Sequence, residues 1–217
     1  MDQKIFYIRN LPHWQPAEET FFVTYRLAGS LPVAVINKLK ENYIYEKNLP
    51  DNQSPEGKET TRQEYFSSFD NELEKNLNQP HWLKNDEIAR LVMDSLLFNN
   101  NKHYTLWCAC LMSNHVHVLL STLRGSPLLN VILQNHKKFT AVQCNKLLGR
   151  SGRFWAEESF DTIVRDNDHF FSVVHYIINN PVKAGIIKKW IDWKWTYIHP
   201  VMKEDFMLSP EKSILNN

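Results

Sequence analysis

Residues 104–121 read Tyr-Thr-Leu-Trp-Cys-Ala-Cys-Leu-Met-Ser-Asn-His-Val-His-Val-Leu-Leu-Ser, a dense apolar and β-branched run broken only at Met112-Ser113-Asn114. Two stretches of strand composition on either side of a tight break predict an antiparallel hairpin, Tyr104 to Leu111 and His115 to Ser121. Side chains alternate along a strand. His115 and His117 therefore share one face, and Val116, Val118 and Leu120 point to the other. Two neutral imidazoles fixed on one strand face make half of a metal site at little ordering cost. The spacing fits two core histidines equally well, so a third ligand and a reacting group must come from elsewhere in the chain.

The elements around this hairpin follow from local pattern. Thr20 to Leu27 has first-strand composition and ends at Ala28-Gly29-Ser30. Pro32 to about Asn48 carries Val35, Ile36, Leu39 and Tyr43 at helical spacing. Leu49 to Thr60, with Pro50, Asn52, Pro55 and Gly57, reads as a loop with the poorest burial prospects of the chain. A second helix is predicted over about Thr61 to Leu77, with Tyr65, Phe66, Phe69, Leu73 and Leu77 on one side. A third runs from about Asn85, its N-cap, to Phe98. After the hairpin, Ser126-Pro127 signals the start of a helix that runs to about Leu148 and carries Leu129, Ile132, Leu133, His136, Phe139 and Val142. A short strand, about Ser159 to Arg165, precedes an N-cap cluster at Asp166-Asn167-Asp168. The βαββαβ order is that of an α+β, ferredoxin-like antiparallel sheet with a helix added at the C-terminal side. The whole chain, 1–217, reads as one domain with a helical insertion at about 32–84.

Composition narrows the setting. At 217 residues, 43% hydrophobic and 23% charged, the chain suits a single sizeable core. No apolar run approaches the ~20 residues of a membrane span, and the start lacks the order of a secretion signal, so the expected location is cytoplasmic. Three cysteines are too few and too odd for a disulfide framework, and Cys108 and Cys110 read as small core residues. Net charge is only +1. Residues 1–123 nevertheless hold 12 Lys and Arg against 15 Asp and Glu, whereas 124–200 hold 11 against 6. The basic excess follows the two histidines, as a local phosphate-binding surface requires.

The last long helix, His169 to Asn180 with Pro181 as its expected end, puts Phe170, Phe171, Val174, Ile177 and Ile178 on a core stripe. Tyr176 and Asn180, four apart, stand one above the other on a different face. By itself a Tyr-x-x-x-Asn is an unremarkable pattern.

Taken together, however, Trp107 to Leu120, Gly152-Arg153-Phe154-Trp155-Ala156-Glu157, Phe160-Asp161 with Arg165, and above all Tyr176-Ile177-Ile178-Asn179-Asn180-Pro181-Val182-Lys183-Ala184-Gly185 resemble one family. It is the REP-associated tyrosine transposases within the single-tyrosine HUH transposases, and the resemblance spans about Thr20 to Tyr197. Where that family usually has proline before Asn-His, this chain has Ser113. The resemblance implies that His115, His117 and Asn180 hold a divalent cation, Mn²⁺ or Mg²⁺, and that Tyr176 is the nucleophile. It implies a metal-dependent cleavage and rejoining of single-stranded DNA beside hairpins, through a 5′-phosphotyrosine. The expected partner is a REP-like or insertion-sequence hairpin, engaged by a monomer or homodimer. Lys137, Lys138, Arg150, Arg153, Arg165 and Lys183 are the candidate phosphate contacts, and Trp155 or Trp107 a candidate base platform. A hairpin-binding regulator that does not cut, and a hydrolase using water, are the competing readings.

Overall fold

The computed structural model describes residues 6–8, 12–75 and 78–208. Its elements are β1 (Phe6–Ile8), β2 (Pro12–Trp14), β3 (Thr20–Leu27), α1 (Val33–Lys47), α2 (Pro55–Lys75), α3 (Asp86–Asn99), β4 (Tyr104–Leu111), β5 (His115–Thr122), α4 (Leu129–Leu147), β6 (Trp155–Ile163), α5 (Asn167–Lys183), β7 (Thr196–Ile198) and α6 (Pro200–Leu208). Strands β1 and β2 pair as a small separate hairpin. The other five form one antiparallel sheet in the order β6-β3-β5-β4-β7. Its first four strands have the ferredoxin-like order, and β7 is appended beyond β4.

The sheet divides the molecule into two packed layers because its strands alternate. Phe21, Val23, Tyr25, Val116, Val118 and Leu120 face one side, where Ile88, Val92 and Leu96 of α3 and Leu129, Ile132 and Leu133 of α4 close the larger core. Phe22, Cys108, Cys110 and Leu119 face the other, packed by Val173, Val174, Ile177 and Ile178 of α5 and by Met202 and Phe206 of α6. His115 and His117 belong to this second side, level with Arg26 and Thr24 of β3. The three cysteines are buried and free.

Several predicted boundaries hold. Thr20–Leu27 and Tyr104–Leu111 are strands as read, and Asn85 caps α3 by accepting from the Glu87 and Ile88 backbone N–H groups. Asp166 caps α5 in the same way through the His169 N–H. Others do not. The expected loop Leu49 to Thr60 is a short helical turn, Pro50–Asn52, followed at Pro55 by α2, so proline at the first helical position starts a helix where the composition suggested irregular chain. Leu77, placed on the apolar side of that helix, lies outside the described residues. Ser126-Pro127 does not cap α4, which starts two residues later at Leu129. Phe171 of α5, expected on the core stripe, is exposed, as are Phe139 and Val142 of α4. β6 begins at Trp155, earlier than expected. Pro181 lies inside α5 rather than ending it. The helix carries on because the Ala184 N–H still reaches the Asn180 carbonyl, and Gly185 in left-handed conformation then stops it.

The helices α1 and α2 form the insertion after β3. None of α1 is buried; its half-buried residues lean on α2, with the Tyr43 and Tyr65 rings 4.8 Å apart. α2 itself buries Thr61, Tyr65, Asp70 and Leu73. It lies on the second side of the sheet, with Phe66 edge-on to Phe22 and stacked on Phe160.

Candidate active site

β5 is a central strand, held by β3 on one flank and β4 on the other, so the two imidazoles it carries are fixed in position. The His115 and His117 ring centroids are 4.7 Å apart, and both side chains are buried. Their outer nitrogens are anchored by different partners. His115 Nδ1 lies 2.7 Å from Asn114 Oδ1, and the Asn114 amide nitrogen donates to the Leu73 carbonyl at 2.9 Å. That second bond fixes which end of the carboxamide is oxygen, so His115 Nδ1 must carry the hydrogen and Nε2 a bare lone pair. His117 Nδ1 lies 2.7 Å from Thr24 Oγ1, which can accept in the same sense. Burial lowers both imidazole pKa values, that of His115 to about 3, so the rings are neutral at neutral pH.

The lone pairs meet a carboxylate. Asp70 of α2 places Oδ1 3.5 Å from His115 Nε2 and 3.4 Å from His117 Nε2. Burial opposes ionisation of Asp70, whereas the Tyr176 hydroxyl and the charge of Lys183 favour it; the neutral imidazoles, with lone pairs turned towards the carboxylate, do not. Its Oδ2 accepts a short hydrogen bond from the Tyr176 hydroxyl, and a second from Asn180 Nδ2 at 3.3 Å. One aspartate thus touches all four residues that the sequence singled out. Tyr176 packs its ring against Phe22 at 5.7 Å and His117 at 5.5 Å. Burial, then the charge of Asp70, raises its pKa well above that of a free phenol, so the hydroxyl is protonated here.

What these groups lack is as informative as what they hold. Asp70 Oδ1, His115 Nε2, His117 Nε2 and Asn180 Oδ1 are buried with no hydrogen-bond partner among the described residues. All four are lone-pair donors, and three of them, on Asp70, His115 and His117, lie within 4.8 Å of one another. Acceptors facing acceptors in a dry interior repel unless a cation stands between them. For metal bonds of about 2.1 Å, donors in a tetrahedral set lie about 3.4 Å apart, the separation found between Asp70 and each imidazole. The residues fit a divalent ion, with Asp70 added to the expected set.

Asp70 was not foreseen, because it sits on an insertion read for its apolar residues alone. The spacing Phe66-x-x-x-Asp70, which puts a carboxylate on the same face as a core aromatic, is the one signal that could have marked it.

The basic residues do not gather as expected. α4 lies on the opposite side of the sheet from His115 and His117, so Lys137 and Lys138 are remote from Tyr176. Lys137 Nζ donates to the Ala156 carbonyl at 2.7 Å. Arg150 stacks on Trp82 at 3.9 Å, and Arg153 pairs with Glu157 at 3.8 Å. Trp155 is buried with its indole N–H on Thr140; Trp107 is half-buried, donates to Ser121, and has the rings of Phe170 and His199 at 5.7 and 5.1 Å. Arg165 and Lys183 do flank the site. Arg165 pairs with Glu59 of α2 at 2.8 Å; Lys183 pairs with Glu74 at 3.4 Å and donates to Asn71 at 2.8 Å.

A ferredoxin-like antiparallel sheet carrying a paired-histidine strand, with a tyrosine-bearing helix packed across it, defines the class of fold. Among solved structures the chain is similar to a REP-associated tyrosine transposase bound to a REP hairpin, with a TM-score of 0.53 and 14% identity over 94% of this chain and 86% of the other. No protein-family model and no curated protein sequence matches the chain. No helix among the described residues is long and apolar enough to cross a membrane.

Proposed function

We propose that this protein is a divalent-metal-dependent single-stranded DNA transesterase that cleaves and rejoins strands beside hairpins, with Tyr176 as the nucleophile. The observation that carries this reading is the convergence on Asp70 of α2 of two imidazoles from β5 and of a phenol and a carboxamide from α5. The structural neighbour, a tyrosine transposase bound to a hairpin, supports DNA as the partner.

His115 and His117 would hold the ion through Nε2, with oxygens from Asp70 and Asn180; this mixed set suits Mn²⁺, or Mg²⁺ with added water. The ion supplies neutralisation of phosphodiester charge and orientation of its non-bridging oxygens. Tyr176 supplies the attacking oxygen. Its bond to phosphorus forms as the P–O3′ bond breaks, leaving a 5′-phosphotyrosine and a 3′-hydroxyl, with the phenolic proton passed to the leaving oxygen by way of solvent. The bond energy is retained in the adduct, so attack by another 3′-hydroxyl rejoins the strand without ATP. The fixed β5 and α5 hold nucleophile and ligands in register, which is what in-line displacement requires. The cytoplasm, where the DNA is reached, is the proposed location.

Incubating the protein with a labelled hairpin oligonucleotide and Mn²⁺ tests this. A covalent adduct that is lost with EDTA and with Tyr176→Phe is the expected result. Tight binding with no adduct would establish a regulator in place of an enzyme, and cleavage that survives Tyr176→Phe would establish water as the nucleophile.

A further inference from the structure

The site just described is sealed. His117 is 0% and His115 1% exposed, and the Tyr176 hydroxyl is engaged by Asp70. A phosphodiester reaching these groups has to displace what covers them, and Asp70 belongs to α2. Three carboxylates of α2 face outward from the helix onto the rest of the protein, and each meets a group suited to a phosphate. Glu59 meets Arg165, Asp70 meets the Tyr176 hydroxyl and the Asn180 amide, and Glu74 meets Lys183. At 1.5 Å rise per residue, positions 59 to 74 place these charges along about 22 Å of one line. The helix carries six acidic and three basic residues, so it is itself a polyanionic rod.

Its hold on the rest of the protein is aromatic and polar more than aliphatic. Apart from Asp70, its contacts include Phe66 against Phe22, Phe160, His117 and Tyr176, Phe69 beneath Arg26, the buried Leu73, the Arg62 bond to the Asp161 carbonyl, and the Asn114 bond to the Leu73 carbonyl. The Arg165 and Lys183 pairs are partly exposed, and such pairs hold weakly. α1 buries nothing and would move with α2. Beneath α2 lie cations flanked by the rings of Phe22 and Phe160, the combination that single-stranded nucleic acid uses for phosphates and stacked bases.

We propose that the sheet face beneath α2 is the single-stranded DNA surface, and that α2 occupies it as an internal stand-in for the phosphate backbone until DNA displaces it. The inference rests on the DNA-processing reading above, and deepens it by naming the surface and its competitor. Asp70 would then be a ligand of the resting form only, its place taken by an oxygen of the scissile phosphate as α2 leaves, and Glu59 and Glu74 stand where neighbouring phosphates arrive.

The test uses the full chain and a fluorescent single-stranded oligonucleotide carrying a hairpin. Glu59→Gln with Glu74→Gln frees Arg165 and Lys183, so anisotropy in EDTA should show binding about fivefold tighter than wild type, two weak pairs having been removed. Unchanged or weaker binding overturns the proposal. Hydrogen exchange on the unmodified protein gives an independent arm. Amides of 55–75 should exchange faster when the oligonucleotide is bound, and slower or equal exchange overturns the proposal. The two readings fail separately: DNA binding that accelerates α2 exchange without any tyrosine adduct removes the cleavage reading and keeps this one. An adduct in wild type, with neither tighter binding in the variant nor faster exchange, does the reverse. A protein that binds no oligonucleotide in either form removes both.

Discussion

Asn114 and Thr24 are uncharged, yet they decide where the protons of the two histidines sit, and with that whether Nε2 can serve as a ligand. Partners of this kind set ligand basicity and ring orientation, and losing one typically costs tenfold or more in metal affinity. Mn²⁺ at a hundredfold excess over its Kd should therefore stabilise the wild type by about 2.7 kcal/mol, a rise in Tm of about 5–10 °C for a chain of this size. His115→Ala should abolish the shift, and Asn114→Ala should move its midpoint to about tenfold higher Mn²⁺; differential scanning fluorimetry across a metal titration reads both. A different buried imidazole governs acid stability. His136, on the side of the sheet away from the site, bridges Tyr25 and Ser95, and burial lowers its pKa to about 3, the charge of Lys137 adding to this. A group whose folded pKa is depressed binds fewer protons folded than unfolded. Its stabilising contribution is complete above the unfolded value near 6.5 and is lost as pH falls from there toward about 3, at about 1.4 kcal/mol per pH unit. Urea unfolding of wild type and His136→Gln at pH 7.5 and 5.0 should show wild type losing about 2 kcal/mol more than the variant over that interval. Equal losses would mean that His136 is not held neutral.

Among the elements, α2 shows how local rules and tertiary demands part company. Glycine inside a helix normally weakens it, and replacing it by alanine gains about 1 kcal/mol. Gly57 stands in the first turn of α2, however, where an added Cβ would come within 2.8 Å of the Asn52 Cα and 3.0 Å of the Asp51 carbonyl. Both are backbone atoms of the preceding helical turn, so neither can rotate aside. Gly57→Ala should lower stability by about 1 kcal/mol instead of raising it, and thermal melts monitored by circular dichroism check the sign. The same crowded corner explains why the sequence misled here: Pro50, Pro55 and Gly57 carry loop chemistry individually, but here they let a three-residue helical turn abut the start of a 21-residue helix. β3, β4, β5 and the cap of α3 were legible because alternation and a side-chain cap are local signals. The span of α5 was less so. Proline removes one donor, and tertiary packing of Ile177 and Ile178 against the sheet, with Pro181 itself buried, retained the helix past it. Asp70 was the least legible, since nothing within α2 says that its one buried acid faces two imidazoles more than forty residues away.

The whole molecule adds a constraint that no single element carries, namely whether Tyr176 serves the histidines of its own chain. Tyr176 reaches Asp70, and through it His115 and His117, within one chain, and α5 is tied to the sheet over most of its length by Val173, Val174, Ile177 and Ile178. Detaching α5 to serve a second copy would expose those four buried residues, at roughly 1.5–3 kcal/mol each, whereas displacing α2 exposes chiefly Leu73, Tyr65 and Phe66. α2 is therefore the element that moves, and α5 stays. It follows that two defective proteins cannot complement one another. Mixed in equal amounts under conditions that exchange subunits, His117→Ala and Tyr176→Phe should form no adduct with a hairpin oligonucleotide. Wild type mixed with the double variant should keep activity in proportion to the wild-type fraction. Recovery of adduct in the first mixture, carried on the His117→Ala chain with its intact tyrosine, would show that the phenol crosses between copies and that α5, with its buried face, leaves the sheet during the reaction.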